Sequence, residues 1–247
     1  MNASNATGLV RSGSPPTRRG EGGEIKKRVF GRLYEPDVRD ANFPIRPKMS
    51  VARTINFKYW HPGVPLDQGS EPACVGYASW KWLYSSPVSN RSMPFMPYEL
   101  YKEAQKWDEW SGEQYEGTSI RGAFKFLKNE GYVSEYQWGF DIETVLAYVL
   151  LTGPIVFGTT WFSDMSDPDS NNYLHVSGDK LGGHAYMLVG ANRKRKNPDG
   201  TVGAFRMLNS WGSSWGSNGR SWLSFTDVEK LLGYNNTEAC VAVELKK

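Results

Sequence analysis

Apolar and polar positions change rhythm beyond the midpoint of the chain. Between residues 74 and 153 apolar side chains recur at helical spacing. From residue 154 onward they alternate in short runs rich in β-branched and aromatic residues. The clearest helix carries Ile120, Ala123, Phe124 and Leu127 on one face. Thr118 or Ser119 is placed to cap its start, and Gly131 to end it. A second helix is expected over Cys74–Tyr84, with Pro72 just before it. A third runs from Met96 to about Trp107, with Pro97 in its first turn. A fourth is capped by Asp141 and carries Val145, Leu146 and Val149 up to the break at Gly153-Pro154. Strands are expected over residues 154–161, 185–191, 202–208, 221–225 and 239–245. Asn197-Pro198-Asp199-Gly200 forms a turn between the second and third of these. Helices followed by strands predict an α+β protein with two segregated lobes, helical over about 70–150 and β over about 154–247.

The N-terminal stretch is different. The first 28 residues hold five glycines and no aromatic residue, too little apolar surface to offset the entropy of ordering them. Residues 1–48 read as a flexible N-terminal extension, with 49–247 as the folded domain and the first aromatic anchors near Phe30. Residues 1–50 contain ten Lys/Arg and five Asp/Glu, within a chain whose net charge is +3. That charge is too small to argue for nucleic acid. No apolar run approaches the ~20 residues that cross a bilayer, and no apolar stretch of signal-peptide type opens the chain. The expectation is a protein without membrane or nucleic-acid partners, a monomer, cytoplasmic in the producing cell.

Two cysteines and three histidines make up the whole inventory of thiols and imidazoles. This excludes a disulfide scaffold and a cysteine-rich zinc site, and no metal or cofactor is expected. Cys74 opens a helix, where unpaired N–H groups and a partial positive charge favour a thiolate. Gln68, six residues earlier, offers an amide donor that could meet the Cys74 N–H at a developing oxyanion. His184 begins a strand. Asn209 ends the strand joined to it through the 197–200 turn, so its amide oxygen can accept the ring N–H and orient the imidazole. Trp211 is placed to shield that hydrogen bond. Cys240 lies mid-strand and reads as an inert core residue, His61 as a turn residue, and His175 as part of a polar loop.

Together Gln68…Cys74, Gly183-His184-Ala185 and Asn209-Ser210-Trp211-Gly212-Ser213-Ser214-Trp215-Gly216 resemble the motifs of the papain-like cysteine peptidases (C1 family), in the family's chain order. The resemblance covers about residues 50–247. It implies a two-lobed fold, a helical lobe and an antiparallel β-barrel lobe, with the active-site cleft between them. It implies a thiol peptidase that hydrolyses peptide bonds through a Cys74–His184–Asn209 triad and a thioester acyl-enzyme, with Gln68 in the oxyanion hole. Glu116-Gly117-Thr118-Ser119 is similar to the glycine stretch that binds substrate backbone, so Gly117, Thr118, Gly183 and Trp211 are the candidate substrate-binding residues. Partners implied are a polypeptide substrate and a proteinaceous inhibitor. Glu71 stands where the family has a disulfide cysteine and Val75 where it has a tryptophan, which resembles the bacterial and phage-type branch and adds phage association to the expected locations. The helical pro-region of secreted members is not visible, and the leader before Phe30 is too short and polar to be one. Two other readings stay open: a thiol amidase acting on cell-wall peptides, and a non-catalytic binding protein on a peptidase fold.

Overall fold

Local capping sets the helices where the sequence marks them. In the computed structural model, which describes residues 28–244, Ser119 Oγ accepts the Gly122 N–H at 2.8 Å and starts α4 (Ile120–Asn129). Asp141 does the same for α5 (Ile142–Leu151) through the Thr144 N–H, also at 2.8 Å. Before them come α1 (Met49–Ala52), β1 (Phe57–Tyr59), α2 (Cys74–Tyr84) and α3 (Pro97–Gln105). Gly76 lets α2 and α3 approach closely, since a Cβ there would sit 2.5 Å from the Pro97 carbonyl oxygen.

The remaining elements are β2 (Val133–Gly139), β3 (Ile155–Phe162), β4 (Lys180–Lys196), β5 (Val202–Leu208), β6 (Arg220–Ser224), α6 (Phe225–Leu232) and β7 (Glu238–Glu244). The strands form one antiparallel sheet in the order β2-β7-β3-β4-β5-β6, with β1 beside β4. Its two faces carry two cores, as the period-2 alternation of strands requires. Phe157, Trp161, Tyr186, Leu188, Phe205 and Val241 point to one. Val156, Ala185, Met187, Val189, Cys240 and Ala242 point to the other, where α2, α3 and α4 pack.

Several expectations need correction. Helix α5 belongs to the first core, with Val145, Val149 and Leu150 against Ile155 and Phe157, so the helical lobe ends before residue 142. Its almost uninterrupted apolar sequence has no polar stripe to mark a side. Strand β4 is 17 residues long, extending beyond the apolar run 185–191 into polar flanks. β2 and α6 were not expected at all. β2 alternates poorly, whereas α6 had a legible start: Ser224 Oγ accepts the Asp227 N–H at 3.0 Å. The extension at 1–48 also divides. Residues 1–27 lie outside the described residues, while 28–48 pack against the rest of the protein, Glu35 and Ile45 being buried.

Candidate active site

Backbone bonds tie the loop before α2 to the loop after β5. Gln68 N–H donates to the Ser210 carbonyl at 2.8 Å and Gly212 N–H to the Leu66 carbonyl at 2.9 Å. This brings Gln68 and Asn209 to the same place although 141 residues separate them in the chain. The Gln68 amide is fixed at both ends: Oε1 accepts from Ser210 Oγ at 2.6 Å, and Nε2 donates to the Glu71 carbonyl at 2.7 Å. Cys74 follows as the first residue of α2, and its thiol is buried.

His184 stands on β4 opposite Thr159 of β3. Its Nε2 lies 2.8 Å from Asn209 Oδ1, the acceptor that holds the ring with Nε2 protonated. Nδ1 is buried without a hydrogen-bond partner, so the basic nitrogen remains free for a thiol proton. Trp211 stacks on the imidazole at 4.8 Å and Trp161 meets it edge-on at the same distance. Both rings exclude water from the His184–Asn209 bond. The backbone N–H of Ala185, next to His184, reaches the Cys74 thiol. Thus Cys74, His184, Asn209, Gln68 and Trp211 are brought together.

The cleft is filled by the chain itself. Residues Arg28–Tyr34 run through it as an extended arm. Arg28 pairs with Asp167 at 2.6 Å and covers the Trp211 ring at 4.8 Å. Val29 presents its carbonyl to Gln68 Nε2 at 3.2 Å. Phe30 meets the His184 ring edge-on at 5.7 Å. Gly31 accepts from the Thr118 N–H at 2.9 Å, Arg32 donates to the Gly183 carbonyl at 3.0 Å, and Leu33 donates to the Thr118 carbonyl at 2.9 Å. The four expected substrate-binding residues therefore all touch the arm: Thr118 and Gly183 by these bonds, Trp211 through Arg28, and Gly117 because a Cβ there would lie 2.6 Å from the Gly31 carbonyl oxygen. Arm and Thr118 pair in parallel.

The lodged arm is not placed for cleavage. Attack needs one carbonyl whose carbon faces the thiol and whose oxygen faces the oxyanion donors. Here the Gly31 N–H faces the Cys74 thiol, so the carbonyl of that peptide unit points away. The Gln68 amide is engaged instead by the preceding carbonyl, that of Val29.

Enclosure also sets the protonation states. Burial pushes the Cys74 thiol up, against the N–H groups of Ala185, Gly31 and Val75 and the charge of Arg32. Burial lowers His184 to about 4, with Asn209 pulling the other way. The covered site thus holds neutral thiol and neutral imidazole. The thiolate expected from the helix start is not the favoured form while the arm is in place. A ring with a depressed pKa binds fewer protons covered than open between about pH 4 and its ordinary value near 6.5. His184 therefore supports the covered form fully above that value and progressively less as pH falls through the window. At pH 5 the open fraction should rise about 30-fold from this group alone. Hydrogen exchange of the Arg32 and Leu33 amides, corrected for intrinsic rates, reports it. Unchanged protection between pH 7 and pH 5 would refute it.

The other histidines and Cys240 stay apart. His61 meets the Tyr59 ring edge-on at 5.3 Å, and exposed His175 lies 3.0 Å from Asp169. Cys240 is buried in the core against the helices. Sequence reasoning missed the arm and Glu238, which lies in the cleft beneath Arg32. The one available signal was the aromatic and glycine pair Phe30-Gly31 at the point where order begins.

Fold and site together define the papain-like class. Xylellain, a cysteine protease of Xylella fastidiosa, superposes with a TM-score of 0.68 at 18% identity, covering 90% of this chain and all of that one. Procathepsin B of Trypanosoma congolense gives 0.65 at 13% identity, covering 93% and 94%. By sequence, a cathepsin B-like cysteine proteinase of Caenorhabditis elegans is 31% identical over 192 residues, 77% of this chain and 42% of the relative. An uncharacterized peptidase C1-like protein of Acanthamoeba polyphaga mimivirus is 23% identical over 230 residues, 75% of this chain and 69% of the relative. No protein-family model matches. The chain thus spans less than half of the nematode relative. In sequence and in fold it is similar to papain-like C1 cysteine peptidases.

Proposed function

We propose that this chain hydrolyses peptide bonds through Cys74, His184 and Asn209, and that residues 28–34 cover the site until they are displaced. The observation that carries the reading is the His184 Nε2–Asn209 Oδ1 bond at 2.8 Å, which leaves Nδ1 unpartnered on the ring whose neighbouring residue touches the thiol. With the arm away, His184 Nδ1 takes the Cys74 proton and the sulfur attacks the substrate carbonyl. The Gln68 amide, released from Val29, and the Cys74 N–H hold the oxyanion. The C–N bond breaks as His184 returns the proton to the leaving amine. Water then attacks the thioester with His184 as base, giving the acid and free thiol.

The test uses protein whose arm has been displaced, incubated with denatured casein and with peptidyl aminomethylcoumarins. Peptide bond hydrolysis is expected. A freely labelled Cys74 without any cleavage would overturn the reading in favour of a binding protein, and release of cell-wall peptides without casein cleavage would favour the amidase. Gln68→Ala should lower kcat about 10²-fold with KM little changed, because its bond forms to the transition state. An unchanged kcat would remove Gln68 from the oxyanion hole.

A further inference from the structure

The sheet face that receives α2 changes character at its edge. Inside the core it carries Met187 and Leu208. The next residue of β5 on that face is Arg206, with Trp222 directly across on β6 and Arg220 two residues before it. On the other side Gly190 of β4 pairs with both Arg206 and Tyr59. A Cβ on Gly190 would lie 3.2 Å from the Tyr59 ring, so the bare strand leaves that ring its place. Arg220 joins the pieces. Its Nε donates to Tyr59 Oη at 2.9 Å and its Nη2 to the Gly63 carbonyl at 2.8 Å. From the helical side Lys81 of α2 reaches the same corner, its Nζ 3.7 Å from where a Gly63 Cβ would stand. Exposed Arg91 forms the rim, 3.6 Å over the Tyr84 ring that Lys81 Nζ also approaches, at 4.7 Å.

These cations lack a counter-charge. Lys81 is 4% exposed, yet its ammonium makes no hydrogen bond or ion pair among the described residues. Neither does the guanidinium of Arg206, which rests 4.8 Å over the Trp222 ring. The charged groups that bear on Lys81 are Arg220 and Arg91, and those that bear on Arg206 are Arg220 and Arg195. Burial, joined by these like charges, pushes Lys81 down to about 8 and Arg206 down to about 10. Elsewhere the protein pairs its buried cations: Arg121 is met by Glu35, Asp37 and Asp40. A buried charge without a partner is costly, and aromatic faces offset only part of that cost. Lys81 and Arg206 therefore keep every donor free for an anion from outside.

We infer that Lys81, Arg206 and Arg220 form a binding site for a phosphate-type oxyanion, at the seam between the lobes and at the end of α2 opposite Cys74. A tetrahedral dianion suits the cluster because its oxygens accept from an ammonium and from guanidinium forks together, and its charge answers more than one cation. Lys81 comes from the helical lobe and the two arginines from the β lobe. The bound anion thus ties the lobes to each other away from the cleft. The site stands independently of the peptidase reading.

The experiment follows thermal unfolding of the full chain in rising inorganic phosphate, against sodium chloride at equal ionic strength. Tm should rise along a saturable curve, by about 5 °C at a hundredfold excess over Kd. Exclusion of phosphate from the surface raises Tm as well, but without saturation and equally in every variant. Lys81→Met keeps the length of the side chain and removes its charge. It should lose the saturable part and, in chloride alone, unfold no earlier than the original protein. A rise that never saturates, or one that Lys81→Met retains in full, would overturn the site. A second measurement needs no variant. Acetylation of Lys81 by limiting acetic anhydride, mapped by peptides, should slow about 10-fold in saturating phosphate, while exposed Lys48 is unaffected. Equal slowing of both lysines, or of neither, would also refute it. Glycerol 3-phosphate separates the sources: half-saturation below that of the inorganic ion assigns the phosphate to an ester, and above it to the free ion.

Discussion

Gly31→Val is expected to convert a thiol that alkylating reagents do not reach into one that reacts on the order of 10²–10³ times faster. A Cβ at residue 31 would fall far inside contact distance of the Pro72 carbonyl oxygen and carbonyl carbon. Both are backbone atoms of the loop that leads into α2, and that loop is anchored by the Gln68 and Gly212 bonds. No rotamer relieves such a clash, so the arm must lift. Overpacking of this severity costs about 3–4 kcal/mol, which corresponds to that range in the open fraction. Limiting iodoacetamide followed by peptide mapping reads the result, with Cys240 as the internal reference because it is buried in the core. The rate at Cys74 should rise while that at Cys240 stays put. If both rise together the substitution has loosened the whole fold, and if neither rises the arm does not guard the thiol.

The second large effect is on the chemistry. In the Gly31→Val background, Cys74→Ala should reduce peptide hydrolysis by at least about 10⁴-fold, since the other thiol, Cys240, is buried in the core against the helices. His184→Ala should fall nearly as far, and the double variant little further, because the two act as one unit. Additive losses would mean that thiol and imidazole work independently, contrary to the proposed proton transfer. Far-ultraviolet circular dichroism checks that the variants remain folded.

The residues proposed to carry the chemistry were the most legible. Cys74, Gln68, His184 and Asn209 sit at spacings that only make sense if their loops and strands converge, and the structure brings them together. Helices α3 and α4 were readable for a different reason: each has a cap or proline at its start and a stripe on one face, whereas α2 is marked by Pro72 just before it and is buried on nearly every side. What the sequence did not disclose depends on contacts between distant segments. Arg32 and Glu238 are 206 residues apart, and neither stands in a periodic pattern. The arm pairs through its backbone, which leaves no trace in side-chain alternation. Helix α5 was visible as a helix, but its side of the sheet was set by packing against Ile155 and Phe157. The arm is received by four glycines, at 117, 158, 182 and 183. The walls make the fit, so the arm needs little apolar surface of its own.

The position of β7 has a consequence for how the molecule comes into being. That strand lies inside the sheet, between β2 and β3, yet it is the last element of the described chain. A ribosome delivers Phe30 and Arg32 first, Cys74 next, then His184 and Asn209, and Glu238 last. The sheet that carries His184 and the pocket that carries Glu238 close only after the arm has long been available to fill them. Glu238, on which Arg32 ends, is therefore the last part of the cleft to be made, long after the arm that it receives.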